Sequence, residues 1–210
     1  MKSTLLTLAF LFTYYYGSAQ SLIALEAESP APVEKNTIVK SSSTAADYKT
    51  QLKEYNLALA EKPNDLTIIN NRAKAYVGMK NYKLAIADYS RILEYDVENI
   101  EAYYNRGLAR MKMNDFRGAL TDMTRVIKRN PEDLDALYYR AMCKSNLFDT
   151  TGAIQDLNTA LEIDPTNKEN YYERGILRYE TYDTTGACED WAKAGASDPK
   201  VARAIKKYCK

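Results

Sequence analysis

The chain has 210 residues, 46% hydrophobic and 27% charged, with 29 Lys+Arg against 28 Asp+Glu, the make-up of an ordinary globular protein of one or two domains. This near balance leaves no electrostatic surplus with which to hold a phosphate backbone or an anionic membrane surface, so nucleic acid is not an expected partner. Histidine is absent, which removes the commonest general base and the commonest transition-metal ligand together. No cofactor and no metal is expected, and an enzyme starts at a disadvantage.

Residues 1–19 combine Lys2, an apolar run from Leu5 to Tyr16 and the small residues Gly17, Ser18 and Ala19. That is the pattern of a secretory signal peptide, with cleavage expected after Ala19. The run is short of the roughly 20 residues needed to span a bilayer, so no membrane insertion is expected once it is removed. Lys2 is the only charge in this segment, and the remainder balances 28 basic against 28 acidic residues. Residues 20–44 contain Ser29-Pro30-Ala31-Pro32 and Ser41-Ser42-Ser43-Thr44 without a sustained apolar period, and read as a flexible leader. The export pattern predicts a periplasmic or secreted product whose folded part spans 45–210.

Residues 47–61 carry apolar side chains at Leu52, Tyr55, Leu57, Ala58 and Leu59 and stop before Pro63. The spacing predicts a helix that caps the N-terminal end of the folded part. Beyond Pro63 the sequence repeats itself. Pro131, Pro165 and Pro199 are 34 residues apart, and Pro63 lies on the same register with Val97 in the skipped place. The same period runs through the small residues Ala73, Gly107, Ala141 and Gly175, through Ala85, Ala119, Ala153 and Ala187, and through the bulky Tyr89, Met123, Leu157 and Trp191. Small residues at the eighth and twentieth places of a unit let two helices approach closely, and a bulky one at the twenty-fourth fills the space between them. Asn99, Asp133 and Asn167 precede the first helices, and Asn81, Asp115, Asp149 and Asp183 the second, as N-caps.

A 34-residue period with Tyr103, Arg106-Gly107, Ala119, Met123 and Pro131 resembles the tetratricopeptide-repeat (TPR) family over residues 66–199. The resemblance implies an all-α solenoid of four helix-turn-helix units, 66–99, 100–133, 134–167 and 168–201. It further implies a right-handed superhelix with a concave groove, closed by a solvating C-terminal helix over 201–210.

Two columns depart from that family. The seventh place holds Arg72, Arg106, Arg140 and Arg174, and the twenty-third Asp88, Asp122, Asp156 and Asp190. Recurrence in all four units predicts a bidentate Arg–Asp pair inside each unit. The competing reading makes these arginines ligand-binding groups, but a carboxylate in every unit argues that their charge is satisfied internally.

Cys188 lies early in the last second helix, and Cys209 at the eighth place of the helix after it, a place that turns inward in the earlier units. The two are either bridged or a pair of buried free thiols. The string Ala187 to Trp191 with a closing cysteine resembles the C-terminal ends of exported TPR proteins, which favours the bridge. Cys143 reads as a core residue.

Ligands of TPR proteins usually lie along the concave face of the first helices. By that resemblance the groove here is lined by Tyr104, Leu108, Met111, Tyr138, Tyr139, Met142, Tyr172, Ile176 and Tyr179, with Glu101, Asp135, Glu169 and Glu173 along one edge. Such a groove suits a peptide or helix with apolar anchors and basic residues. The alternative for these tyrosines is stacking between units. The Lys and Asn set with which some TPR co-chaperones clamp terminal carboxylates is replaced here by Asn70, Lys74, Asn105, Asp135 and Tyr139, and only Asn105 fits. The function expected is therefore a non-catalytic protein-interaction scaffold. A carbohydrate-binding protein or hydrolase using groove tyrosines and carboxylates is the alternative.

Overall fold

A computed structural model describes residues 44–209. The expected signal peptide and the leader up to residue 43 lie outside the described residues. Each helix begins where a side chain can accept the free N–H groups of a first turn. Thr44 and Asp47 form a reciprocal capping box that opens α1, Ala45–Glu61, two residues earlier than the apolar spacing predicts, because capping rather than periodicity sets the start. Asp65 opens α2, Leu66–Gly78, and Asn81 opens α3, Tyr82–Tyr95. Asn99 and Asp115 open α4, Ile100–Lys112, and α5, Phe116–Arg129. Asp133 and Asp149 open α6, Leu134–Asn146, and α7, Thr150–Ile163. Asn167 and Asp183 open α8, Lys168–Glu180, and α9, Thr184–Ala194. Asp198 opens α10, Pro199–Tyr208, with Pro199 in the first turn where its missing N–H costs nothing. This last helix starts two residues before the expected 201 and ends at Tyr208.

The described residues form an all-helical solenoid of four two-helix units, α2–α3, α4–α5, α6–α7 and α8–α9, with α1 capping one end and α10 the other. Within a unit the two helices pack closely, and each second helix also packs on the first helix of the next unit. The alanines at the eighth and twentieth places, Ala73, Ala85, Ala119, Ala141, Ala153 and Ala187, are fully buried. So are Tyr89, Met123, Leu157 and Trp191 opposite them. The fit is closest in unit 4, where a Cβ on Gly175 would stand 2.5 Å from the Trp191 indole nitrogen; only glycine leaves room for the ring.

The turn inside every unit places one residue in the left-handed region: Lys80 (φ 58°), Asn114 (59°), Phe148 (64°) and Tyr182 (67°). Among the described residues no helix is long and apolar enough to cross a membrane.

Candidate functional site

The Arg and Asp columns meet. In each unit the arginine grips both carboxylate oxygens through Nε and Nη2: Arg72 on Asp88 at 2.8 and 2.6 Å, Arg106 on Asp122 at 3.1 and 2.7 Å, Arg140 on Asp156 and Arg174 on Asp190 at 2.8 and 2.6 Å each. The carboxylates are buried and the arginines half-buried.

Two further features of this ladder escaped sequence reasoning. The eleventh place supplies a second cation to the same carboxylate in units 2, 3 and 4, Arg110, Lys144 and Arg178, at 2.8, 2.8 and 2.9 Å. Three cations in one column were the available signal. The remaining guanidinium nitrogen reaches the preceding second helix, where Arg72 donates to Asn56, Arg106 to Ser90 and Arg174 to Asn158 at 2.7–3.0 Å. Arg140 has no equivalent bond among the described residues. Gripped in this way by their own units, the arginines are spoken for by the fold.

The groove residues lie on the first helices. Tyr104, Tyr138, Tyr139 and Tyr172 are half-buried, as are Leu108, Met111, Met142 and Ile176. Several of the tyrosines stack on neighbouring rings, as the alternative reading expects. Tyr139 meets Tyr104 of the preceding unit edge-on at 6.1 Å and Tyr138 at 5.4 Å, and burial, helped by Asp135, pushes the Tyr104 hydroxyl far above its ordinary pKa. Tyr179 turns away to the C-terminal end, with its ring 4.2 Å from that of Tyr208 and 6.0 Å from Trp191.

The acidic edge is uneven for a similar reason. Glu101 is matched by Lys74 at 2.8 Å. Glu169 and Glu173, one helical turn apart on α8, have no ion pair among the described residues. Burial raises the pKa of Glu173, Glu169 raises it further and Lys200 opposes the shift. The same two carboxylates, after burial itself, push the Tyr138 hydroxyl up. A shallow cavity of about 410 Å³ adjoins them, lined by Lys168, Glu169, Tyr172, Ser197, Asp198 and Pro199. Carboxylates outside any ion pair thus lie at the unit 3–unit 4 end of the groove, with Lys200 as the opposing charge on Glu173.

Cys188 and Cys209 are joined by a disulfide that ties α10 to α9, over a cluster of Trp191, Val201, Ile205 and Tyr208. Cys143 is a buried free thiol, its pKa pushed up to about 12 by burial and the nearby Asp115.

Two models of the tetratricopeptide repeat match the sequence, one at residues 66–98 and one at 104–168. No curated protein matches it. Among solved structures, YrrB, described as a TPR protein with an unusual peptide-binding site, superposes with a TM-score of 0.69 at 24% identity, over 77% of this chain and 84% of its own. MamA from Desulfovibrio magneticus RS-1 gives 0.68 at 18% identity, over 75% and 87%. The first TPR of Spaghetti, bound to the HSP90 peptide SRMEEVD, gives 0.53 at 21% identity, over 56% and 93%. At these identities the likeness is one of fold.

Proposed function

This chain is a tetratricopeptide-repeat protein, and from that premise we propose that it is a non-catalytic adaptor whose groove binds a peptide or helical segment of another protein. The observation that carries the reading is the unit 3–unit 4 end of the first-helix face. There Tyr138 and Tyr172 stand half-buried beside Glu169 and Glu173, two carboxylates that form no ion pair among the described residues and of which Glu173 feels Lys200 only as an opposing charge. Holding like charges together in a partly desolvated place is unfavourable, and an incoming Lys or Arg side chain would relieve it. The tyrosine rings and Ile176 offer the apolar contact that gives a peptide most of its affinity. The preferred ligand is thus a segment with apolar anchors and at least one basic residue. YrrB and Spaghetti, with peptide sites on the same fold, support this class of function. An acidic tail like the Spaghetti peptide suits this groove poorly, because Asp135, Glu169 and Glu173 repel it.

Export belongs to the same proposal. The N-terminal pattern has the form of a signal peptide, and a disulfide at Cys188–Cys209 is at home in an oxidising periplasm or outside the cell.

The test is a cross-linking capture from envelope and medium. It compares the mature chain with a Tyr104, Tyr138, Tyr172→Ala variant whose circular dichroism matches the parent. One protein recovered by the parent and lost by the variant supports the groove reading, and its docking segment should contain Lys or Arg. Capture unaffected by the triple substitution would sink it.

A further inference from the structure

The turns inside units 3 and 4 carry nearly the same string, Phe148-Asp149-Thr150-Thr151-Gly152-Ala153 and Tyr182-Asp183-Thr184-Thr185-Gly186-Ala187. We propose that this edge of the solenoid is a second binding surface, on which Phe148 and Tyr182 are platforms for an uncharged polysaccharide chain.

Three observations carry it. Phe148 and Tyr182 are each 94% exposed, and neither ring meets another aromatic ring among the described residues. Both also occupy the left-handed backbone region, at φ 64° and 67°. Bulky residues disfavour that region, which Gly and Asn tolerate, and unit 2 has Asn114 at this place. Neither packing nor backbone preference therefore accounts for an aromatic residue here, and it recurs in adjacent units. Unfavourable local conformation kept at an exposed position is a pointer to function.

The surroundings select the ligand. Thr151, Thr184 and Thr185 are exposed, and their hydroxyls make no hydrogen bond among the described residues. Asp149 and Asp183 each spend one carboxylate oxygen capping a helix, at 2.9 Å from the Gly152 and Gly186 N–H groups. A protein interface of any strength wants an apolar core inside a polar rim, whereas these rings stand among hydroxyls and carboxylates. A sugar ring has the complementary form, with an apolar C–H face that packs on the negative face of an aromatic ring and hydroxyls at its edge for the threonines. Asp149 and Glu180 would repel an anionic glycan, whereas Asp183 has its second oxygen facing Arg178 at 3.8 Å; an uncharged chain is favoured. Platforms on neighbouring units suit a linear chain that lies across both.

The experiment is affinity electrophoresis of the full chain in gels containing soluble neutral glucan, xylan or mannan, with calorimetric titration against oligosaccharides of the polymer that retards it. Phe148→Asn with Tyr182→Asn is the deciding variant, because it removes both rings while easing the backbone. It should melt no lower than the parent and bind more than about tenfold more weakly. The groove triple variant should keep full glycan affinity, which separates this surface from the groove. The proposal is overturned if no neutral polysaccharide retards the chain, if the Asn variant binds equally well, or if the rings prove necessary for capturing a protein instead.

Discussion

Asp156 sits between two cations, Arg140 at 2.6 Å and Lys144 at 2.8 Å. Removing its charge leaves both uncompensated in a half-buried place, whereas removing Arg140 leaves the carboxylate still paired with Lys144. Asp156→Asn should therefore cost about 3 kcal/mol or more in urea unfolding and Arg140→Met clearly less. Equal losses would mean that the two cations do not share one carboxylate. Glu173 behaves in the opposite sense. Burial first, then Glu169, raises its folded-state pKa, so the folded chain holds this proton more tightly than the unfolded chain does. Stability from this group is present below the ordinary glutamate range and is lost as pH rises through the raised value. Glu173→Gln should thus melt higher than the parent at neutral pH, with the gap closing toward about pH 4, and a pH-independent gap would refute this.

Residues were legible in the sequence in proportion to how regularly they recur. The arginine and aspartate columns are unbroken in all four units, and so is their pairing. The eleventh-place cations were missed because Tyr76 interrupts the column and two different cations share the rest. The left-handed turn residue was invisible because Lys80, Asn114, Phe148 and Tyr182 have no chemistry in common; packing of the two helices imposes the conformation on whatever residue stands there. The groove was half legible. Its tyrosines could be placed on one helix face, but not which of them turn to neighbours, since that depends on contacts such as Tyr179 with Tyr208 that cross from one element to another.

At the scale of elements, α10 is a short helix of ten residues, too short to hold together alone in water. It owes its order to burial of Val201 against α9, to the Tyr179–Tyr208 contact and to the disulfide. The bridge closes a loop of 21 residues, which restricts the unfolded chain by about 3 kcal/mol in the chain-entropy view. Reduction, or Cys209→Ser, should lower the melting temperature and loosen α10 before the units. Trp191 is the only tryptophan and lies beneath this helix, so its emission should shift to the red on reduction at temperatures where the far-ultraviolet circular dichroism still reports a folded solenoid. Emission that moves only with global melting would show that the helix stays docked without the bridge.

For the molecule as a whole, units touch only their neighbours, and stability is accordingly a sum of unit and junction contributions. End elements are held from one side. α1 has a single buried residue, Leu59, whereas α7 buries six. Native-state hydrogen exchange should therefore release α1 amides first and protect α5 to α7 longest; uniform protection along the array would show one cooperative block instead.

The charge ladder also bears on how such a chain can change its length over generations. Each arginine finds its carboxylate within its own 34-residue unit, and the link to the preceding unit uses only neutral acceptors, Asn56, Ser90 and Asn158. A duplication or deletion of one whole unit carries both partners of the Arg–Asp pair together, and the most the ladder arginine loses at the new junction is a single neutral hydrogen bond. A cut that falls between the seventh and twenty-third places strands a guanidinium on one side and a buried carboxylate on the other. The pairing thus tolerates the gain or loss of whole repeats and penalises fractions of them.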